Sequence, residues 1–328
     1  MNRIVITGAR GYIGRTLAAA LTADGHALRL VSRLSEPQGL ETPRLTNVEH
    51  RAVDLRNPQD WLRLLDGAGA VVHLSSRTDL RAAEADPAGD RALNVEPVYA
   101  LVRGAQQCTI PVPVIFASST SIVGDAHTNP VNEHTPDRPC SVYDRHKLEC
   151  EAVLGDAVQR GTLQACSLRL PTVYGYGAGV SSTNPSRGIL NVMIRRASRG
   201  EPLTLYGDGS VVRDFIHIDD VCDAFRRAIA RPDIGEGKYY VIGTGRGYTL
   251  AEAFECVAQE ASRVIGRKVE ISHVPEPPDL HAIERSNFIG DAAKFRELTG
   301  WHPQVDLRSG IRDFFERLLA SAQTASLV

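Results

Sequence analysis

Tyr143 and Lys147 stand four residues apart in SVYDRHKLECE, a spacing that on a helix puts a phenol and an ammonium on one face, within reach of one ligand. A phenol with a pKa of about 10 exchanges protons poorly at neutral pH, and a neighbouring ammonium lowers that value by stabilising the phenolate. Lys147 is placed to do so. The pair alone fits an exposed helix face equally well. Upstream, the apolar run VPVIFASSTSIVG ends in Ser118, Ser119, Thr120 and Ser121. A hydroxyl there can orient a carbonyl or alcohol beside the phenol, the plain alternative being a polar strand end in a loop.

Gly8, Gly11 and Gly14 in TGARGYIG follow the apolar run RIVIT and open an amphipathic pattern. Such glycines tighten the turn and let backbone N–H groups and a helix N-terminus approach a pyrophosphate, although strand-to-helix glycine turns also occur for structural reasons alone. In LRLVSRLS, where a dinucleotide site for NAD carries an acid that bonds the ribose hydroxyls, this chain has Ser32 and Arg33. That exchange removes repulsion from a 2′-phosphate and supplies a cation for it. NADP(H) is therefore the expected cofactor and NAD(H) the alternative, with Arg33 simply facing solvent as the competing reading.

These residues need a scaffold. The apolar runs RIVITG, ALRLVS, AVVHLSS and VPVIFASS alternate with helical patterns, which predicts a Rossmann-type, doubly wound parallel α/β sheet covered on both faces. Beyond about residue 170 the rhythm loosens into the loops GYGAGVSSTNPSRG and VPEPPDLH, the kind of surface segment that carries function. A helix (ILNVMIRRASRG), an aspartate-rich helix start (IDDVCDAFRRAIA) and a further strand (KYYVIGTG) lie between them. The expected division is a dinucleotide domain over 1–170 plus about 214–245, with a smaller interleaved substrate-binding lobe over about 171–213 and 246–328.

The totals exclude some partners. With 328 residues the chain can bury a large core, and a formal charge of -2 gives no electrostatic reason for nucleic acid or an anionic membrane. No apolar run reaches spanning length. The chain runs straight from MNRIVITGARGYIG into strand and glycine loop without a signal-peptide pattern. Six cysteines fall singly, without metal-ligand spacing. A cytoplasmic protein with reduced thiols and no metal is expected.

The ordered set TGARGYIG, Asp54-Leu55, VVHLSS, Asn94 in LNVEPVYALV, SSTSIVG, YDRHK, LRLPTVYGYG, PLTLYGDGSVVRDFIHIDD, YYVIGTG and GWHP resembles the extended short-chain dehydrogenase/reductases that act on nucleotide sugars, the NAD-dependent epimerase/dehydratase family. The resemblance spans nearly the whole chain. It implies Ser119 as the catalytic hydroxyl, Tyr143 as general acid-base and Lys147 as the lysine that also holds the nicotinamide ribose. It places Arg10, Tyr12 and Ile13 with the glycines at the cofactor, Asp54 and Leu55 beside the adenine, and Leu74, Ser75 and Ser76 on the ribose side, with Asn94 and Leu170 in the same site. For the substrate it implies Ser119, Thr172, Arg213 on the diphosphate, Leu205 over the base, and Arg285 as a second diphosphate residue. A surface arginine and a core leucine are the alternatives for Arg213 and Leu205.

Departures refine this. Val123, Thr172 and Tyr176 replace residues common in galactose-type epimerases, and Thr120-Ser121 stand where 4,6-dehydratases carry an Asp-Glu pair. Together with Ser32-Arg33, the resemblance is closest to NDP-4-keto-6-deoxyhexose 4-ketoreductases. The expectation is an NADPH-dependent reductase of a nucleotide-linked, typically dTDP-linked, 4-keto-6-deoxysugar, of the kind used in antibiotic glycosylation, acting as a homodimer. A nucleotide-sugar 4-epimerase with retained cofactor is the alternative, and a non-catalytic NADPH sensor a third reading.

Overall fold

The computed structural model describes residues 3–33, 47–124, 130–179 and 188–325. The end of LRLVSRLS, at residues 34–35, and residues 180–187 of the Gly-Ser-rich loop lie outside it. The strands are β1 (Arg3–Thr7), β2 (Leu28–Ser32), β3 (Val48–Ala52), β4 (Ala68–His73), β5 (Pro113–Ser119), β6 (Gln164–Leu170), β7 (Thr172–Tyr174), β8 (Leu203–Tyr206), β9 (Val212–His217), β10 (Glu236–Val241), β11 (Gly247–Thr249) and β12 (Ile271–Val274). The helices are α1 (Tyr12–Ala23), α2 (Pro58–Leu65), α3 (Leu80–Ala85), α4 (Pro87–Asn94), α5 (Glu96–Ala105), α6 (Val142–Gln159), α7 (Ile189–Ser198), α8 (Ile218–Ala230), α9 (Leu250–Ile265), α10 (Ala293–Thr299) and α11 (Leu307–Ala325).

Seven strands form the main sheet in the order β10-β6-β5-β4-β1-β2-β3, and every neighbouring pair is parallel. This is the doubly wound arrangement, and its strand order reverses between β1 and β4, where the crevice for a ligand opens. The strands run apolar without alternation because both faces are covered. On one face, Leu17 and Leu21 of α1 pack with Phe225 of α8 and with Phe295 and Trp301. On the other, Trp61 of α2, Leu101 of α5 and Leu154 of α6 pack on Phe116.

A separate cluster builds the second lobe, joining Leu190 and Ile194 of α7, Phe254 of α9 and Phe314 of α11 to Leu203 and Leu205 of β8. Helix α9 is set by its ends: Thr249 and Glu252 form a reciprocal capping box, and Gly266 closes it at a φ of 70°. Two small sheets, β11-β9-β7 and β12-β8, accompany the main one. Phe295 and Trp301 pack in the main-sheet core. No described helix is long and apolar enough to cross a membrane.

Candidate active site

The carboxyl ends of β1, β2, β4, β5 and β6 border one cleft of about 1310 Å³. At its β1 end the chain is backbone packed on backbone. Gly8 has a φ of 64°, and a Cβ there would lie 2.8 Å from Leu74 C and Ser75 N; at Gly14 it would lie 2.3 Å from the Gly8 carbonyl oxygen. This turn and the N-terminus of α1 border the cleft, the kind of cradle a pyrophosphate needs. The Thr7 hydroxyl fastens the neighbouring loop by accepting from the N–H groups of Leu74 and Ser75 at 3.2 and 3.3 Å.

The expected cofactor residues Gly8, Arg10, Gly11, Tyr12, Ile13, Gly14, Arg33, Asp54, Leu55, Leu74, Ser75, Ser76 and Leu170 all line this cleft. Arg33 faces it at the end of β2, while Ser32 is half-buried and stands outside the lining. Asp54 is held by Arg56 at 2.6 Å, and the hydrogen bonds from Arg56 lower its carboxyl to about 2. Asn94 is buried behind the cleft wall, where its Oδ1 accepts from Arg77 N at 2.7 Å and from Ser76 Oγ at 3.2 Å and its Nδ2 donates to Arg77 O at 3.0 Å.

Helix α6 begins where Ser141 caps it, its Oγ accepting from Asp144 N at 3.0 Å. That start puts Tyr143 and Lys147 against the end of β5, and both line the cleft with Ser118 and Ser119. Lys147 Nζ donates to Ala117 O at 2.7 Å, and lies 4.5 Å from the Phe116 ring centroid and 5.7 Å from that of Tyr143. Burial lowers its pKa to about 8. The Tyr143 phenol also moves, but upward: burial dominates and the charges of Asp144 and Asp90 add to it. Desolvation of the phenolate outweighs the lowering expected from the Lys147 ammonium. Ser118 Oγ, buried in the wall, has no hydrogen-bond partner among the described residues, as befits a hydroxyl completed by a ligand. The glycine cradle and this orphan hydroxyl fit an extended polar cofactor.

Past Ser119, Leu170 and Pro171 the cleft continues into a cavity of about 190 Å³ lined also by Ser121, Thr172 and Arg213. The Arg213 guanidinium donates to Ser286 O, to Glu284 O at 2.8 Å and to Ile283 O at 3.2 Å, and burial lowers its pKa to about 10. Two expected substrate residues stand elsewhere. Leu205 is 1% exposed in the second-lobe core, because its β8 face is the one packed on α7 and α9. Arg285 stands outside both cavities, its guanidinium spent on Glu276 at 2.9 Å and Leu280 O at 3.1 Å.

Among the residues the sequence reading did not name, Arg77 at the cleft and Asp144 behind it stand out. Arg77 lines the cleft with its Nε 3.1 Å from the buried Asp90 carboxylate; nothing local announces a contact between positions so far apart. Asp144 is fully buried and accepts from Ser121 Oγ at 2.5 Å and Ser141 Oγ at 2.6 Å. Its signal was present as S-x-x-D in SVYD, the pattern of a helix start. Among the described residues no His, Cys, Asp and Glu cluster could hold a metal ion.

The model of the NAD dependent epimerase/dehydratase family matches residues 4–243. A UDP-glucose 4-epimerase from Mycolicibacterium smegmatis is 29% identical over 315 residues, covering 94% of this chain and 96% of that one. A GDP-6-deoxy-D-mannose reductase from Pseudomonas aeruginosa is 24% identical over 95% of both chains. Among solved structures, MoeE5 in complex with UDP-glucose and NAD superposes with a TM-score of 0.80 at 26% identity, over 99% of this chain and 100% of that one.

Proposed function

The chain belongs to the NAD dependent epimerase/dehydratase family, and from that premise we propose that it interconverts the 4-epimers of a nucleotide-diphosphate hexose, UDP-linked as in its epimerase relative, on a retained nicotinamide dinucleotide. The observation that carries this reading is the position of Ser119, which borders both the large cleft and the smaller cavity, with Tyr143 and Lys147 on the cleft side and Arg213 on the other. The reversal of emphasis from reductase to epimerase is supported by the relative of highest identity named above.

In this reading the loop from Gly8 to Gly14 holds the pyrophosphate, Arg33 and Asp54 flank the adenosine, and Lys147 holds the nicotinamide ribose. The dinucleotide, once bound, supplies hydride acceptance and return at the sugar C4. The chain's own residues handle the proton and the geometry. Tyr143, as a phenolate that Lys147 and the positive charge of a bound oxidised nicotinamide would stabilise, takes the C4 hydroxyl proton and gives it back, Ser119 hydrogen-bonds the same sugar oxygen, and Arg213 pairs with the diphosphate, its planar fork suited to phosphate oxygens. The dinucleotide domain over 1–170 and about 214–245, the substrate lobe over the remainder, a homodimer and a cytoplasmic setting complete the proposal.

One observation favours a second reading. Arg33 lines the cleft where the end of β2 offers no acid, which suits NADP(H) and a net reduction of a 4-keto-6-deoxysugar nucleotide, dTDP-linked as the resemblance to 4-ketoreductases implies. Purified protein given UDP-glucose without added cofactor should form UDP-galactose with no net change in nicotinamide absorbance. Stoichiometric loss of NADPH on adding dTDP-4-keto-6-deoxyglucose, with no epimerisation, would replace the first reading by the second. Within either, Arg33→Asp should lower the preference for the 2′-phosphorylated cofactor by at least about tenfold.

A further inference from the structure

Tyr143 is the second residue of α6, so the first turn of that helix decides where the phenol lies. The backbone N–H groups of a first turn find no acceptor within their own helix. Ser141 Oγ serves Asp144 N at 3.0 Å. The N–H of Val142, beside Tyr143, donates at 2.6 Å to Glu84 Oε1 of α3, 58 positions away in the chain. A carboxylate suits that place, because it meets the positive end of an 18-residue helix. The same Oε1 lies 3.6 Å from His281 Nε2, too long for a hydrogen bond but close enough for a charge to act on a polar N–H. Counting hydrogens assigns the proton. His281 Nδ1 accepts from Ile283 N at 3.2 Å, so the ring hydrogen is carried on Nε2, the nitrogen beside Glu84.

His281 opens the single helical turn Ala282–Arg285. Ile283 and Glu284 of that turn line the smaller cavity together with Leu80 of α3, and their carbonyls receive the Arg213 guanidinium. Leu80 packs on the cluster that holds Ile283 and Phe288, so α3 lies against this wall of the cavity as well as against the start of α6. We propose that Glu84 is a positioning residue that ties the start of α6 to the turn at Ala282–Arg285, so that a sugar nucleotide seated against that turn helps to set the place of Tyr143. The tie rests on the nucleotide-sugar reading above and deepens it, because occupancy of the cavity then takes part in aligning the acid-base group. The movement required is small: a shift of about 0.7 Å turns the His281 contact into a hydrogen bond of ordinary length.

The test is turnover of UDP-glucose by the cofactor-loaded protein. Glu84→Ala strands the Val142 N–H and should lower kcat about tenfold with KM within about twofold of the wild type. Glu84→Gln keeps a carbonyl oxygen for that N–H and should restore kcat to within about threefold. His281→Asn keeps a side-chain acceptor for Ile283 N but is too short to meet Glu84, and should lower kcat about threefold in the wild-type background and not at all in Glu84→Ala. Wild-type kcat in Glu84→Ala, or losses that simply add in the double variant, would overturn the proposal. If Glu84→Ala fails to fold, Glu84→Gln takes its place in the same cycle. If the wild type does not turn over UDP-glucose, the substrate reading fails on its own, and amide hydrogen exchange of a peptide spanning residues 141–147 decides the present point. Faster exchange there in His281→Asn supports the tie, and unchanged exchange refutes it.

Discussion

The two ends of the cleft are built by opposite means. At the β1 end, Gly8 and Gly14 press backbone against backbone with no space for a methyl group, and the ligand site is a by-product of tight packing. At the α6 end, Tyr143, Asp144 and Lys147 are polar groups kept out of water, each shifted by burial away from its charged form. Packing there works against solvation. The lesson is that fold stability and function should separate at one end of the cleft and coincide at the other.

Tyr143→Phe breaks the comparison at its most sensitive point. Losing the proton-transfer group should lower kcat by about 10³-fold or more, while the thermal midpoint holds or rises, since the substitution removes a buried hydroxyl. A steady-state assay beside a melting curve checks both, and substantial activity in this variant would remove Tyr143 from its role. Gly14→Ala should do the reverse, since the added methyl must displace the Gly8 carbonyl 2.3 Å away. A loss of roughly 2–3 kcal/mol in denaturant unfolding, together with loss of dinucleotide binding by fluorescence, is the expected result.

Lys147→Met sharpens the contrast with a smaller effect of opposite sign. In the folded chain the Lys147 pKa is about 8, below the ordinary value of about 10.4, so the folded state disfavours the charged form. That cost is fully present below pH 8 and fades as the pH rises toward 10.4. The wild type should therefore gain stability between pH 8 and 10, and Lys147→Met should flatten that rise. At pH 7 the variant should be more stable by about 1–2 kcal/mol, the charge penalty less the lost bond to Ala117 O, and inactive. Unfolding curves across that pH range measure it.

The contrast also explains which parts were legible in the sequence. The glycine turn was readable because strand, turn and helix are consecutive, so TGARGYIG carries all its own constraints. The Tyr143–Lys147 pair was readable because a helix fixes residues four apart on one face. Arg33 was readable as a cleft residue because the end of β2 lies beside the end of β1 in any doubly wound sheet. The positions of Leu205 and Arg285 were not legible, because neither is fixed by local chain direction. One depends on which face of β8 meets α7 and α9, the other on whether Glu276 lies in reach.

The sequence by itself therefore determined the parallel sheet, the glycine turn and the pairing of Tyr143 with Lys147 on one helix face, since each is a local pattern of period, spacing or glycine placement. Only the tertiary structure decided how those side chains behave. It set a half-buried Tyr143 at the cleft wall and moved its phenol upward, engaged Asn94 in holding Arg77, and joined Ser119 to Asp144 through Ser121. Desolvation and hydrogen-bond direction depend on what surrounds a group from every side, and that surrounding comes from segments the chain order keeps apart.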